Sequence, residues 1–485
     1  MNNKKTILNI MYVCIIIISC LLISFSYHLK IYYSSSYFEQ LLYNLLNTTT
    51  LKLTSLEKAY VEIPSLAIII SCLLLIPLFF RFNFKINILK KDIKIFPINI
   101  KKYSIIVLII SVMITCYQIR FHTYLWNQIN DTRLYDRYYV KYNKKNVNFT
   151  TKRNLIHIYV ESLENSNFST SNGGLQKKSY MPNLEKLALD NINFSNNNKL
   201  GGFKSINGTN WTIAGMVAQT SGVPIYIKTK NKNNIFLEGA TSLGDILYDN
   251  GYSNYLMIGS DAKFGERDDY FKRHGNYKIM DYNYAIDNGM ILKNYYKWWG
   301  FEDSLLFSFA RNELVKISND DKPFNFTILT ADTHFYDGYV DSSCKSVFDS
   351  HYANSFNCED SMLYSFISWV KEQDFYKNTT IVVTGDHLTM QDGFYKSSNN
   401  YTRTVFNMFI NPINKPANDK NREFTSFDIF PTTLSSIGAT IKDDRLSLGT
   451  NLFSDKKTLC EEIGYKKFSQ EISKRSNYYN KYILK

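Results

Sequence analysis

The chain has 485 residues, 45% hydrophobic and 20% charged, enough for a large buried core, which excludes wholesale disorder and a fold too small to stand without disulfides or metals. The net charge is +13, yet residues 1–102 hold 12 Lys and Arg against 4 Asp and Glu. Most of the excess therefore lies in the apolar N-terminal part, where it reads as membrane topology and not as a nucleic-acid footprint.

Three apolar runs, 7–29, 59–80 and 103–121, each approach the twenty or so residues a helix needs to cross a bilayer. The first is followed by SFSYHLKIYY, which lacks a small-residue cleavage pattern, so it is expected to stay as an anchor and not to be removed as a signal peptide. Lys4 and Lys5 precede it, and Arg81, Lys85, Lys90, Lys91, Lys94, Lys101 and Lys102 outweigh Asp92 between the second and third runs. Between the first and second, Lys30, Lys52 and Lys58 are balanced by Glu39 and Glu57. The positive-inside rule then places the N-terminus and the basic loop in the cytoplasm and everything after about residue 122 outside. Cys14, Cys20, Cys72 and Cys116 fall in the apolar runs as small apolar residues. Cys344 and Cys358 are near enough in sequence to close a short loop in an oxidising compartment, and no CxxC pair suggests a thiolate zinc site.

Residues 122–150 are polar and aromatic and read as a juxtamembrane linker. Beyond them short β-branched runs alternate with helical patterns. Strands are expected at 154–160, 255–258, 324–330, 380–384 and 405–410. Helices are expected at 181–189 (with Pro182 in the first turn), 212–218, 242–247, 360–372 and 428–434. The alternation predicts an α/β domain with a mostly parallel central sheet over 151–440, followed by a C-terminal extension at 441–485.

In such sheets ligands gather where strands end. Asp386 and His387 follow one predicted strand directly, and their oxygen and nitrogen donors suit Mn²⁺ or Zn²⁺. Glu161 follows the 154–160 strand and offers a second carboxylate; the plainer reading is an acid opening the next helix. Thr212 opens an apolar helix, where free backbone N–H groups favour phosphate, although a plain helix-capping threonine fits too and Thr209 is its rival. His334, in Asp332-Thr333-His334 after the 324–330 strand, can exchange a proton with a leaving group. There is no GxSxG elbow and no GxxxxGK[ST] loop, which disfavours serine esterases and nucleotide-loop enzymes.

Taken in order, HIYVESLENS, MPNLEKLA, GTNWTIAGMVAQTSGVP, SLGDIL, LTADTHFYDG, SFNCEDSML and VVTGDHLTM carry a further reading. Over about 153–435 the chain resembles the phosphoglycerol transferases of the alkaline phosphatase and sulfatase superfamily. It is nearer to those acting between phosphatidylglycerol and membrane oligosaccharides than to lipoteichoic acid synthases. The resemblance implies a metal site at Glu161, Thr212, Asp386 and His387, with Thr212 as nucleophile and His334 as the phosphate-contacting, catalytic histidine. It implies one divalent ion, Mn²⁺ in the first place and Mg²⁺ or Zn²⁺ otherwise. In the synthases an F-W-x-R-D string touches the head group; here it reads Phe264-Gly265-Glu266-Arg267-Asp268, so Arg267 is kept for substrate binding and the Trp position is Gly265. The C/S-x-P-x-R string of true sulfatases is absent. The implied reaction moves phosphoglycerol from phosphatidylglycerol to an envelope oligosaccharide or polysaccharide through a threonine-linked intermediate, on the outer side of a bacterial inner membrane, without nucleotide or nucleic acid. Alternatives are a phosphoethanolamine transferase or a phosphodiesterase with the same metal centre and, from another class, an inactive glycan-binding protein of the envelope.

Overall fold

A computed structural model describes residues 2–32, 38–39, 42–43, 56–79, 85–88, 91–94, 99–391, 393–395 and 401–485. Of the charges used above to orient the spans, Lys52, Arg81 and Lys90 lie outside the described residues. The chain divides into two compact units, Met1–Phe38 with Leu51–Trp126, and Glu39–Thr50 with Asn127–Lys485.

In the first unit the apolar runs form helices α1 (Asn2–Tyr32), α2 (Leu56–Phe79) and α3 (Ile100–Gln118). Within them Thr6–Ile31, Tyr60–Leu78 and Ile100–Gln118 are long and apolar enough to cross a bilayer. Ile18, Ile69, Leu73 and Met113 point outward and exposed, as on a surface made for hydrocarbon. Ile16, Cys20, Ala67 and Val107 meet between the helices, and the Tyr103 hydroxyl donates to the Leu74 carbonyl at 2.8 Å.

The second unit is built on a seven-stranded sheet. Its elements run β1 (Asn154–Val160), α4 (Pro182–Asp190), β2 (Gly202–Phe203), α5 (Thr212–Ser221), α6 (Leu243–Asp249), β3 (Ser253–Ile258), α7 (Arg267–Arg273), β4 (Lys278–Met280), α8 (Asp303–Ile317), β5 (Phe324–Leu329), α9 (His351–Lys371), β6 (Thr379–Gly385), β7 (Val405–Ile410) and α10 (Ser426–Ser436). The strand order is β2-β7-β6-β1-β5-β3-β4. The sheet is parallel except for β7, which runs antiparallel to β6 and β2. The fold is thus the expected α/β one with a mostly parallel sheet.

β1 explains why a near-continuous apolar run marks a central strand. Ile156, Ile158 and Val160 face Leu306 and Leu314 of α8 and Phe356 and Phe366 of α9. Leu155 and Tyr159 point the other way, Leu155 into the cluster of Ile246 (α6) and Leu434 (α10) and Tyr159 into that of Val217 (α5). A strand covered by helices on both faces needs apolar side chains at odd and even positions alike. Each fully buried Ile or Val here is worth about 1.5–3 kcal/mol.

The helix expected at 360–372 starts earlier, at His351, with the Ser350 hydroxyl accepting from the Ala353 amide. Its first turns, HYANSFNC, carry Ser, Asn and Cys, which are weak helix formers, and only Tyr352 and Phe356 mark their buried stripe. A disulfide joins Cys344 to Cys358 on this helix, with Cα atoms 5.5 Å apart. Cys460 is free and buried.

Residues on either side of the sheet domain are structured. Val147–Phe149 pairs antiparallel with Ala439–Ile441. Near the C-terminus, helices α11 (Leu459–Ile463) and α12 (Tyr465–Ile472) follow, and Phe468, Ile472, Tyr479 and Ile483 are buried in the same apolar cluster as Val217.

Candidate metal centre

β1 and β6 are neighbours in parallel register, with Val160 opposite Gly385. The residues that follow, Glu161 on one strand and Asp386-His387 on the other, therefore emerge side by side. One donor atom from each of Glu161, Asp386 and His387 lies within 4.8 Å of the others, and all three residues are buried. His387 Nε2 is 3.4 Å from Glu161 Oε1 and 3.3 Å from Asp386 Oδ2.

The surroundings aim these atoms inward. His387 Nδ1–H donates to the Leu388 carbonyl at 2.7 Å, which fixes the ring and turns Nε2 towards the carboxylates. Asp386 Oδ1 accepts from the Ser162 and His387 amides, both at 2.8 Å. Ser162, in the left-handed region at φ 57°, also donates its hydroxyl to Glu161 Oε1 at 2.8 Å. Asp386 Oδ2 and His387 Nε2 are left buried with no hydrogen-bond partner among the described residues. Two carboxylates and an imidazole with inward lone pairs make a donor set that fits a divalent cation such as Mn²⁺ or Zn²⁺.

The charges agree. Burial works against ionisation of Glu161, but His334, His387 and the Ser162 hydroxyl outweigh it and hold this carboxyl below the usual range. Burial, then the facing Glu161, pushes Asp386 up to about 7. Burial opposes the charged form of His387, and Asp386 and Glu161 override it and raise its basicity.

Thr212 is the first residue of α5, and its hydroxyl donates to Glu161 Oε2 at 3.2 Å. The Thr209 hydroxyl instead donates to the Ile206 carbonyl at 2.8 Å in its own turn. Helix α5 reaches the centre because Gly215 has no side chain: a Cβ there would come within 2.1 Å of the Asp386 carbonyl oxygen. Gln219, one turn on, donates to the Gly385 carbonyl at 2.9 Å. Gly215→Ala is expected to push the helix off the strand end, costing about 1–3 kcal/mol by overpacking. Denaturant unfolding and metal titration would check it; an unchanged midpoint together with unchanged affinity would refute the role given to this contact.

His334 follows β5, on the other side of β1. Its loop is tied to Glu161 twice, since the Thr333 hydroxyl donates to the Glu161 carbonyl at 2.6 Å and the Glu161 amide donates to the Thr330 hydroxyl at 3.1 Å. Burial lowers the basicity of His334, with Glu161 acting in the opposite direction, and its Nδ1–H donates to the Phe335 carbonyl. Behind the loop, Asp303 accepts from the Ala331 and Asp332 amides at 3.0 and 2.7 Å, and Asp332 accepts from the Asp303 amide at 3.0 Å. Arg267 is buried at the start of α7, with Nη2 donating to Ser260 Oγ at 3.1 Å and the Asp261 carbonyl at 2.9 Å. Burial draws it down to about 10, and the charge of Glu161 acts in the opposite direction, so the guanidinium feels the centre.

Of the six residues singled out in the sequence, Glu161, Asp386, His387 and Thr212 come together at the ends of β1 and β6, His334 lies in the loop after β5 that is bonded to Glu161, and Arg267 is held by the loop after β3. Others were not visible there. Gly265 and Glu266 adopt φ of 65° and 60°, a left-handed turn that a Trp at 265 would strain. Tyr43, before the second span, is buried with its ring 5.3 Å from Trp211 and its hydroxyl donating to the Gly265 carbonyl at 3.1 Å. The Trp299 ring lies 4.7 Å from that of His334, the two planes tilted by 59°. The only local hint of it is a Trp-Trp-Gly triplet in a chain with five Trp.

Comparison with known proteins bears on this geometry. A family profile described as Sulfatase matches residues 153–439. Phosphoglycerol transferase I of Xanthomonas campestris pv. campestris is 33% identical over 251 residues, 49% of this chain and 34% of that protein. Phosphoglycerol transferase I of Escherichia coli is 31% identical over 265 residues, 52% of this chain and 33% of that protein. The match spans about a third of the length of these curated relatives. Among solved structures, the integral membrane protein lipooligosaccharide phosphoethanolamine transferase A (EptA) from Neisseria meningitidis aligns with a TM-score of 0.50, covering 89% of this chain and 84% of that one at 13% identity, which is a likeness of fold.

Proposed function

The chain belongs to the sulfatase family, and on that footing we propose that it is a membrane-anchored, metal-dependent phosphoglycerol transferase of the bacterial envelope. The observation that carries the proposal is the Thr212 hydroxyl, 3.2 Å from Glu161 Oε2 at the edge of the Glu161, Asp386 and His387 cluster. The curated relatives named phosphoglycerol transferase support the reaction class. A divalent cation held by these three residues and Thr212, Mn²⁺ in the first place and Mg²⁺ or Zn²⁺ otherwise, would supply Lewis acidity and neutralise charge there.

The chain's own groups do the rest. The Thr212 oxygen, its proton held towards Glu161 Oε2, attacks the phosphorus of phosphatidylglycerol. The bond to the diacylglycerol oxygen breaks, and that oxygen receives the proton with His334 Nε2 as relay. The glycerophosphoryl group is left on Thr212, at the N-terminus of α5, where unpaired N–H groups and Arg267 offset its charge. A hydroxyl of an envelope oligosaccharide or polysaccharide then passes its proton to His334 Nε2 and attacks the same phosphorus; the bond to the Thr212 oxygen breaks, and that oxygen takes the proton from His334, which restores the threonine hydroxyl and the neutral imidazole. No nucleotide is consumed, which suits a catalytic unit on the outer side of the inner membrane, and the Cys344–Cys358 disulfide suits the oxidising conditions there.

The test is phosphatidylglycerol labelled in its head group, incubated with the full chain, Mn²⁺ and envelope fractions. Label should appear in a glycan fraction. Label found only as free glycerol phosphate would make the protein a phosphodiesterase, and transfer from phosphatidylethanolamine alone would make it a phosphoethanolamine transferase.

A further inference from the structure

The segment Lys297-Trp298-Trp299-Gly300 is a two-residue turn. The Lys297 amide donates to the Gly300 carbonyl at 2.6 Å and the Gly300 amide returns the bond at 2.8 Å. Trp298 sits at φ 54°, a conformation a bulky residue rarely adopts. The turn is pinned from two sides. The Trp298 indole donates to the Ala331 carbonyl at 3.1 Å, three residues before His334. The Phe301 amide donates to the Gly259 carbonyl at 3.0 Å, next to Ser260, which holds Arg267. Gly300 itself lies so close to this backbone that a Cβ would stand 2.0 Å from the Gly259 carbonyl oxygen.

So fixed, Trp299 has its ring 4.7 Å from that of His334 and 5.4 Å from that of Phe264. Its indole Nε1–H is buried and has no acceptor among the described residues. The Arg267 guanidinium lies 5.5 Å from the same Phe264 ring, and its Nε–H is likewise buried without an acceptor. Two unpaired donors therefore flank one aromatic ring beside the metal centre. A buried N–H without a partner is costly, and a site built around such donors rejects ligands that cannot accept from them.

We infer that Trp299, with Arg267 Nε, selects the lipid head group by offering hydrogen-bond donors to a hydroxylated one, so that glycerol is taken and an amine head group is turned away. Glycerol hydroxyls have lone pairs for both N–H groups. An ammonium has only hydrogens to give, and it would enter beside a cation that already lies by the Phe264 ring. The inference rests on the transferase reading for its substrate, and it assigns the choice between phosphoglycerol and phosphoethanolamine to a residue remote in sequence from the Gly265 string.

The test uses the full chain in mixed micelles with Mn²⁺ and compares kcat/KM for phosphatidylglycerol and phosphatidylethanolamine. Trp299→Phe keeps the ring and removes the N–H. The ratio favouring glycerol should fall about tenfold or more, mainly through KM for phosphatidylglycerol, because one hydrogen bond is lost to one substrate only. An unmoved ratio, or a wild-type protein that prefers phosphatidylethanolamine, would overturn the inference. A second readout needs no turnover. With 5-fluorotryptophan in all five Trp positions, the fluorine signal missing from Trp299→Phe should shift on adding glycerol phosphate and stay put with phosphoethanolamine or inorganic phosphate. That selective shift without lipid turnover would sink the transferase reading and keep the inference. Equal shifts with all three probes, or none, would end the inference even if phosphatidylglycerol is transferred.

Discussion

Thr212→Ala should abolish phosphoglycerol transfer, lowering turnover by about a thousandfold or more, as removal of a covalent nucleophile does. Its hydroxyl is the one that reaches Glu161 Oε2, at 3.2 Å. Alanine at the first position of α5 keeps the helix, since Thr212 caps nothing there and the preceding Trp211 makes no side-chain cap bond. Thermal unfolding should therefore stay close to wild type while labelled lipid no longer marks the protein. Thr209→Ala is the contrast. Its hydroxyl is spent on the Ile206 carbonyl, so the variant loses a turn contact worth about 1 kcal/mol and should still take up label. Equal labelling of the Thr212→Ala and wild-type proteins would remove Thr212 from the mechanism.

The second large effect is on cation binding. Asp386→Asn should weaken binding of Mn²⁺ about a hundredfold or more, because a neutral amide replaces a carboxylate whose partner oxygen Oδ2 has no other use. Asn keeps an oxygen for the Ser162 and His387 amides that Oδ1 now serves, so the loop should hold its shape. The wild-type protein adds a pH signature. Asp386 is pushed up to about 7 by burial and Glu161, and a carboxyl must lose its proton before it can coordinate. The cation has to expel that proton, and the one that Asp386 and Glu161 favour on His387, so affinity should rise as pH increases through about 7. Asp386→Asn should make the rise shallower, leaving the part that belongs to His387. Calorimetric titration from pH 5.5 to 8.5 reads both, and a wild-type affinity independent of pH would contradict the electrostatics described for this centre.

Much of the fold can be read locally. β1 and β7 are mostly apolar stretches of seven and six residues, broken by Asn154, His157 and Asn407, and α4 opens on Pro182, all signals contained in windows of a few residues. Where those signals are faint the reading stops short. The first turns of α9 lie under Ser, Asn and Cys, and α8 carries two acids, Asp303 and Glu313, among its buried residues. Both helices are stabilised mainly by what they cover on the sheet, which outweighs propensity.

The chain on its own determines the spans, the strand-then-polar-cluster pattern at Glu161, His334 and Asp386-His387, and the threonine opening α5, because each rests on hydropathy or on neighbours a few positions away. Tertiary structure alone decided that Thr212 and not Thr209 meets Glu161, that Gly215 lets α5 touch Asp386, and that Trp299 and Tyr43 come to the Arg267 side of the centre. Those outcomes depend on strand order and on the Val160–Gly385 register, which the packing of the whole core selects and no single stretch of sequence encodes.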